Sequence, residues 1–166
     1  MMDFRSRLES ARDIPDVFEL VKLAVLSVEG RSRAGLNLGL ADLGEGANAW
    51  IGGFHVIASD TIVLNSRPLD HVRRNSPNMY NSYVFFVLLH EYLHSLGYVD
   101  ELECRRRTLC VAEQLFGPGD LVTDLARDVQ RYLPHFRQVE YGWMPPADHT
   151  VRYVRGFDRG STGYFT

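Results

Sequence analysis

The chain has 166 residues, of which 45% are hydrophobic and 23% are charged, as expected for one globular domain with its own core. Its formal net charge of −3 gives no electrostatic reason to expect binding to nucleic acid or to a membrane surface. The longest apolar run, Val84 to Leu89, is far too short to cross a bilayer. The first residues lack a charged start followed by an apolar segment. We therefore expect a cytoplasmic protein in which Cys104 and Cys110 are reduced.

The first half of the chain predicts one helix and a small sheet. After Pro15, apolar residues recur at helical spacing until Gly30 ends the run. Alternation from Gly35 to Leu40 predicts a strand, and the segments Trp50 to Ile57 and Thr61 to Asn65 predict a hairpin of two more. We therefore expect about three strands in a mainly antiparallel sheet. The last of them would offer an edge on which an extended peptide could bind.

Three further helices are predicted in the second half. The first begins near Asn78 or Asn81, either of which is a suitable N-cap, and ends at Gly97. The next runs from Asp100 to Phe116, and another runs from Asp120 to Leu133. The expected fold is α+β, with an N-terminal helix, a small sheet, a buried helix, and two more helices after it.

The composition changes at Gln138 to a segment that is rich in Gly, Tyr, Arg and Pro. We assign residues 1–137 to one domain and residues 138–166 to a tail that packs on it. One hypothesis is that this tail folds over the functional cleft and blocks it. Asp158 is then the acid that would approach a bound metal.

The chemistry of the chain centres on the pentapeptide His90-Glu91-Tyr92-Leu93-His94. Two histidines four positions apart lie on one face of a helix, where both imidazoles can reach one metal ion. The flanking run is apolar all round, which predicts a buried helix, and ionisable groups there are costly unless they are paired or bind metal. Zinc accepts imidazole nitrogen readily, and an adjacent carboxylate can take a proton from zinc-bound water. Glu91 is that carboxylate.

A catalytic zinc site needs a third protein ligand, and four acids on the next helix are candidates. Asp100 and Glu103 form a capping box, which accounts for both without a metal. Glu113 lies roughly three turns further on. Glu101 falls near the middle of the inward, apolar face of this helix, whereas Glu103 falls on the opposite side. Because helical side chains lean toward the N-terminus, however, Glu103 could stand at a better level. We take Glu101 as the ligand and keep the other three as alternatives.

The motif His90-Glu91-x-x-His94, followed by an acid that opens a second helix, resembles the zincin metallopeptidases and, among them, the gluzincins. The segment Glu101-x-x-Cys104-Arg105 looks like the glutamate helix of that clan. The layout of residues 15 to 116 is similar to that of the minimal archaeal gluzincins called minigluzincins. The resemblance implies hydrolysis of peptide or protein substrates by one zinc ion, with Glu91 as the base. Arg105 departs from the clan, which often carries Asp or Asn there.

Other roles remain open at the level of sequence. Tyr83, Tyr98 and His55 are candidates for stabilising the negative charge on a substrate oxygen. One rival function is a non-catalytic, metal-stabilised module with four protein ligands. Another is a DNA-associated zincin, indicated by Arg105-Arg106-Arg107, although the net charge of the chain is negative.

Overall fold

A computed structural model describes residues 2–43, 50–145 and 150–158. These ranges contain six α-helices and a four-stranded mixed sheet, which confirms the α+β class. None of the helices in these ranges is long and apolar enough to span a membrane. Two short 3-10 helices follow α3 and α6, at Pro77–Met79 and Val129–Arg131. In chain order the other elements are α1 (Phe4–Glu9), α2 (Ile14–Glu29), β1 (Asn37–Ala41), β2 (Gly53–His55), β3 (Thr61–Asn65), α3 (Ser66–Asn75), α4 (Tyr80–Ser95), α5 (Glu101–Phe116), α6 (Leu121–Arg127) and β4 (Arg152–Tyr153).

The sheet differs from the predicted antiparallel meander. Its strand order is β2-β3-β1-β4, with β1 and β3 parallel and the other two pairs antiparallel. The hairpin of β2 and β3 is present, but β3 returns between β2 and β1 instead of lying outside them. The prediction that Thr61–Asn65 is an edge strand is therefore wrong, because both of its edges are hydrogen-bonded to neighbouring strands. The edge on that side of the sheet is β2.

Helix α4 is the centre of the molecule, and every residue from Ser82 to Ser95 is buried. It packs against α2, α5, α6 and β2, which explains why its sequence is apolar on all sides. The predicted cap at its start is wrong. Met79 occupies the N-cap position, and the Asn81 amide instead donates to the carbonyl oxygens of Leu8 and Ala11.

Helix α5 follows α4 after a short turn that contains Gly97 in the left-handed region, with φ 107°. Asp100 is its N-cap and accepts a hydrogen bond from the Glu103 main chain at 2.9 Å. Its buried positions recur at helical spacing, as predicted, and they are Glu101, Cys104, Thr108, Val111 and Ala112. This face brings Glu101 against α4. Helix α6 is shorter than predicted and ends at Arg127.

The tail makes two separate contacts with the domain. Just before the tail begins, Trp50 forms a parallel bridge with Phe136. Further on, β4 pairs with β1, and the Phe157 ring stacks on Phe18 at 4.0 Å between centroids. The buried Asp158 carboxylate accepts hydrogen bonds from Lys22 Nζ at 2.6 Å and the Leu36 main chain at 3.1 Å. The prediction that Asp158 approaches a metal is therefore wrong, because these contacts hold it beside α2, outside the cleft.

Candidate metal centre

One carboxylate on α5 meets both motif histidines on α4. Glu101 Oε1 lies 2.9 Å from His90 Nε2, and Glu101 Oε2 lies 2.9 Å from His94 Nε2. The Oε1 atom is buried and makes no hydrogen bond among the described residues, although His90 Nε2 lies 2.9 Å and Arg105 Nε 3.4 Å away. Such an oxygen is costly to bury unless a cation or another donor satisfies it.

The hydrogen bond on the far side of His94 fixes which nitrogen faces Glu101. His94 Nδ1 lies 2.7 Å from the carbonyl oxygen of Tyr98, which can only accept, so Nδ1 carries the hydrogen. In the neutral ring, Nε2 then presents a lone pair to a carboxylate oxygen at 2.9 Å. Two lone pairs at this distance require a proton or a metal cation between them. The donor set therefore fits a cation.

The pKa values of His94 and Glu101 both favour positive charge at the imidazoles beside an ionised carboxylate. Burial acts to lower the pKa of His94, but the carboxylates of Glu101 and Glu91 outweigh it and raise that pKa. Burial acts to raise the pKa of Glu101, but the two imidazoles outweigh it and lower that pKa to about 2. The site thus keeps its carboxylate ionised and attracts a cation to the imidazoles.

Cys104 joins this group from the other side of His90. Its Sγ atom lies 3.9 Å from His90 Nδ1 and 3.3 Å from the His90 carbonyl oxygen. His90, His94 and Cys104 are buried and offer ligand atoms within 4.8 Å of one another, so they too could hold a metal ion. Burial raises the pKa of the Cys104 thiol. An ion bound by both Cys104 and His90 would have to bind His90 through Nδ1. Glu101, however, faces the Nε2 atom of the same ring.

Glu91 follows His90 on α4 and lines the same cleft. Its side chain is buried. Burial raises the pKa of Glu91, while the neighbouring imidazoles of His90 and His94 act in the opposite direction. A carboxyl group with a raised pKa binds a proton more tightly than one in water, which is a useful property in a general base.

The other three acids considered as ligands have different partners. Asp100 caps α5 through the Glu103 main chain. Glu103 Oε1 accepts a hydrogen bond from Arg107 Nε at 2.8 Å, and Glu113 Oε1 accepts one from Arg127 at 2.6 Å. None of these acids lines the cleft that contains His90, within the ranges that the structure describes.

A cleft with an empty volume of about 450 Å³ lies over α4. His90, Glu91, His94 and Glu101 form its polar end. The remaining walls come from residues 51–55, residues 136–142, and two apolar side chains of α4, Phe86 and Val87. A side chain added at Gly52 would meet the Phe136 ring at 2.9 Å and Val87 at 3.2 Å, so glycine lets these two side chains pack closely against the main chain here.

The segments 50–55 and 136–141 run side by side in the same direction. Trp50 pairs with Phe136, and the side chain of His55 meets that of Tyr141, so both pairs are separated by 86 positions. Main-chain hydrogen bonds join Trp50 to His135 at 2.6 Å and to Arg137 at 2.7 Å. The start of the tail therefore forms the wall of the cleft opposite β2.

Tyr141 touches two histidines of this cleft. Its ring stacks on the His94 imidazole, with 4.3 Å between centroids and 8° between planes. Its hydroxyl lies 2.7 Å from His55 Nδ1, and His55 Nε2 lies 3.0 Å from the Ser59 carbonyl oxygen. Because that carbonyl only accepts, Nε2 carries the hydrogen and Tyr141 donates to Nδ1. Burial lowers the pKa of His55 and raises that of Tyr141, which favours the neutral form of both.

No known protein family, curated protein or solved structure matches this chain. Its function has therefore to be inferred from the side chains of the cleft.

Of the three residues considered for oxyanion stabilisation, one lines the cleft and two do not. His55 lines the cleft, but Tyr83 and Tyr98 do not. The Tyr98 hydroxyl donates to Glu29 at 3.2 Å, and its ring lies between the guanidinium groups of Arg31 and Arg107. Tyr141 is the residue that sequence reasoning missed. Its only signal was the aromatic content of the tail, which carries no information about which helix the tail will cross.

The arginine run on α5 is largely engaged in contacts within the protein. Arg107 pairs with Glu29 at 2.8 Å and with Glu103 at 2.8 Å. Arg105 donates to Gln138 at 2.5 Å. These contacts do not favour a nucleic-acid interface, and DNA association stays a prediction from sequence.

Proposed function

We propose that this protein is a zinc-dependent peptidase in which His90, His94 and Glu101 hold the metal. The observation that carries this proposal is the approach of one buried carboxylate to both imidazole nitrogens, each at 2.9 Å. Two imidazoles and one carboxylate are a known ligand set for catalytic zinc and leave a position open for water. The His-Glu-x-x-His spacing on α4 supports the same reading.

Zinc, when bound, supplies Lewis-acid activation of water and of the peptide carbonyl. Glu91 takes the proton of the attacking water and delivers it to the leaving amine. Its burial beside the two histidines, in the wall of the cleft, supports this role. His94 is held in place by the Tyr98 carbonyl, so its free nitrogen points into the site.

The substrate lies along β2 in the cleft. The polar end of the cleft adjoins β2, and Gly53–His55 has a strand neighbour on one side only among the described residues. An extended peptide can add its main chain to such an edge. We therefore propose β2 as the strand along which the peptide lies, instead of β3, which the sequence had predicted.

The decisive experiment separates metal binding from proton transfer. We expect Glu91→Gln to retain about one zinc per chain and to lose roughly 10²–10⁴-fold in kcat, because general base catalysis is removed while the ligands remain. Zinc content is measured after dialysis, and cleavage is measured on a peptide library. Asp70→Ala, on the exposed face of α3, is the control and should leave the zinc content and the rate of peptide cleavage unchanged. Full cleavage by zinc-loaded Glu91→Gln would exclude Glu91 as the base.

A second candidate function is a non-catalytic zinc module, and the position of Cys104 favours it. A Cys104 thiolate would bind an ion together with His90 and His94 in place of Glu101, because Cys104 faces Nδ1 of His90 whereas Glu101 faces Nε2. Cobalt substitution distinguishes the two functions, because thiolate ligation gives a strong near-ultraviolet charge-transfer band that Cys104→Ser removes. Absence of that band in the wild type supports the open, catalytic site.

Inhibition of the site by its own tail stays a prediction. Removal of residues 138–166 tests it: inhibition by the tail predicts more peptide cleavage, whereas a catalytic contribution from a tail residue predicts less. Unchanged or lost cleavage, with zinc retained, would contradict it.

A further inference from the structure

Tyr141 has no role in the proposed zinc ligation or in the proton transfer by Glu91, yet it makes two specific contacts inside the cleft. Its ring lies flat on His94, and its hydroxyl is hydrogen-bonded to His55. A buried tyrosine hydroxyl needs a hydrogen-bond partner in any case. This one, however, is held inside the cleft, where a bound substrate would meet it.

We propose that Tyr141 is a catalytic residue whose hydroxyl donates a hydrogen bond to the scissile carbonyl oxygen as that oxygen becomes negatively charged, and that His55 positions this hydroxyl. The inference rests on the proposed peptidase function. No proton is transferred in this role, because Tyr141 keeps its hydrogen throughout and only shares it.

The position of the hydroxyl is determined by its neighbours. The stacked His94 ring fixes the plane of Tyr141, and His55 Nδ1 fixes its oxygen at 2.7 Å. His55 is in turn fixed by the Ser59 carbonyl at 3.0 Å, so it is committed to accepting from Tyr141. Rotation about the Cζ–O bond of Tyr141 can redirect the hydrogen to a substrate oxygen without moving the ring. A donor whose ring and oxygen are already in place has only to exchange its hydrogen bond to His55 for one to the substrate oxygen in order to stabilise developing charge.

The surroundings of the hydroxyl suit a substrate carbonyl. Tyr141 and His55 line the same cleft as Glu91 and His90. They come from opposite walls, His55 from β2 and Tyr141 from the tail, so their hydrogen bond closes the polar end of the cleft. A peptide lying along β2 would bring its carbonyl groups past this contact.

The test compares Tyr141→Phe, which keeps the ring, with Tyr153→Phe, an equal change at a residue that is 61% exposed on β4. We expect Tyr141→Phe to lower kcat about 100-fold, as loss of one oxyanion donor does, with KM and zinc content changed less than about twofold. Tyr153→Phe should match the wild type. His55→Gln should lose less than Tyr141→Phe, and the double variant no more than Tyr141→Phe alone, because the two residues act as one unit.

A second readout does not depend on activity or on zinc. In metal-free protein labelled with ¹⁵N-histidine, Tyr141→Phe should shift the His55 Nδ1 resonance, and Tyr153→Phe should leave it in place. An unshifted resonance contradicts the positioning by His55.

The outcomes separate this inference from the proposed function. If the zinc-loaded wild type cleaves peptides and Tyr141→Phe has an unchanged or higher kcat, the role of Tyr141 is overturned while the peptidase stands. A higher kcat would identify the residue as a cover over the site. If the zinc-loaded wild type cleaves no peptide, the peptidase function and this role fall together.

Discussion

At the level of single residues, the sequence predicts those features of the metal centre that depend only on residue spacing within one helix. A helical wheel places Glu101 on the inward face of α5 and Glu103 on the outward face, and the structure agrees. Glu101 is buried, whereas 40% of the Glu103 side chain is exposed. The contact of Cys104 with His90 was harder to predict, because it depends on the distance and rotation between α4 and α5, which no spacing within either helix defines.

The first prediction uses this pair of acids. Glu101→Gln should weaken zinc binding by more than about 100-fold, since even residues that only support a ligand contribute 10- to 100-fold. Glu103→Gln makes the same chemical change two positions away and should leave the zinc affinity unchanged. Competition with a chelator of known affinity measures both. Equal affinities in the two variants would exclude Glu101 as a ligand.

At the level of elements, the helices were predicted better than the sheet. The boundaries of α2 and α5 follow from Pro15, Gly30 and Asp100, which act within their own helical turn. The parallel pairing of β1 with β3 could not be predicted in the same way. It joins residues that are 24 positions apart, Asn37 with Thr61, and it depends on the path of the chain between them. The same limit made β3 look like an edge strand.

The second prediction concerns two adjacent glycines at the start of β2. Gly52→Ala should narrow the cleft and disfavour substrates with bulky apolar side chains, because the added carbon displaces only the tip of the Phe136 ring. Gly53→Ala should instead lower the free energy of unfolding by roughly 1–3 kcal/mol, because its carbon would meet the Val63 carbonyl oxygen at 2.5 Å. Peptide-library cleavage and urea unfolding measure the two effects.

A failure of the two glycine variants to separate in this way would contradict the placement of β2. If Gly52→Ala left the substrate preference unchanged, Gly52 would not face the bound peptide. If Gly53→Ala were as stable as the wild type, the close pairing of β2 and β3 at this position would be wrong.

At the level of the whole molecule, the tail connects distant parts of the chain. Its first part forms a wall of the cleft, and its last described part adds β4 to the sheet and buries Phe157 and Asp158 against the domain. The sequence predicted a tail packed on the domain. It did not predict which residue would lie where: Asp158 lies outside the cleft, and Tyr141, for which there was no prediction, lines it.

The third prediction tests this attachment. Asp158→Ala should lower the free energy of unfolding by roughly 1–3 kcal/mol, because the buried Leu36 amide and Lys22 both lose an acceptor. Lys22→Met should cost less in the Asp158→Ala background than in the wild type, since the partner is already gone. Urea unfolding of the two single variants and the double variant measures this coupling. Strictly additive effects would contradict the ion pair.

The position of residues 135–142 beside β2 has a consequence for the newly made chain. Strand edges next to apolar surface are templates for pairing with another chain, and here the edge of β2 borders the apolar wall of the cleft. In the complete fold that edge faces inward, with Tyr141 and Phe136 across from it. Until the ribosome has released this segment, two nascent chains can join through Gly53–His55. The residues that wall the cleft therefore cover the β2 edge only after they have been synthesised.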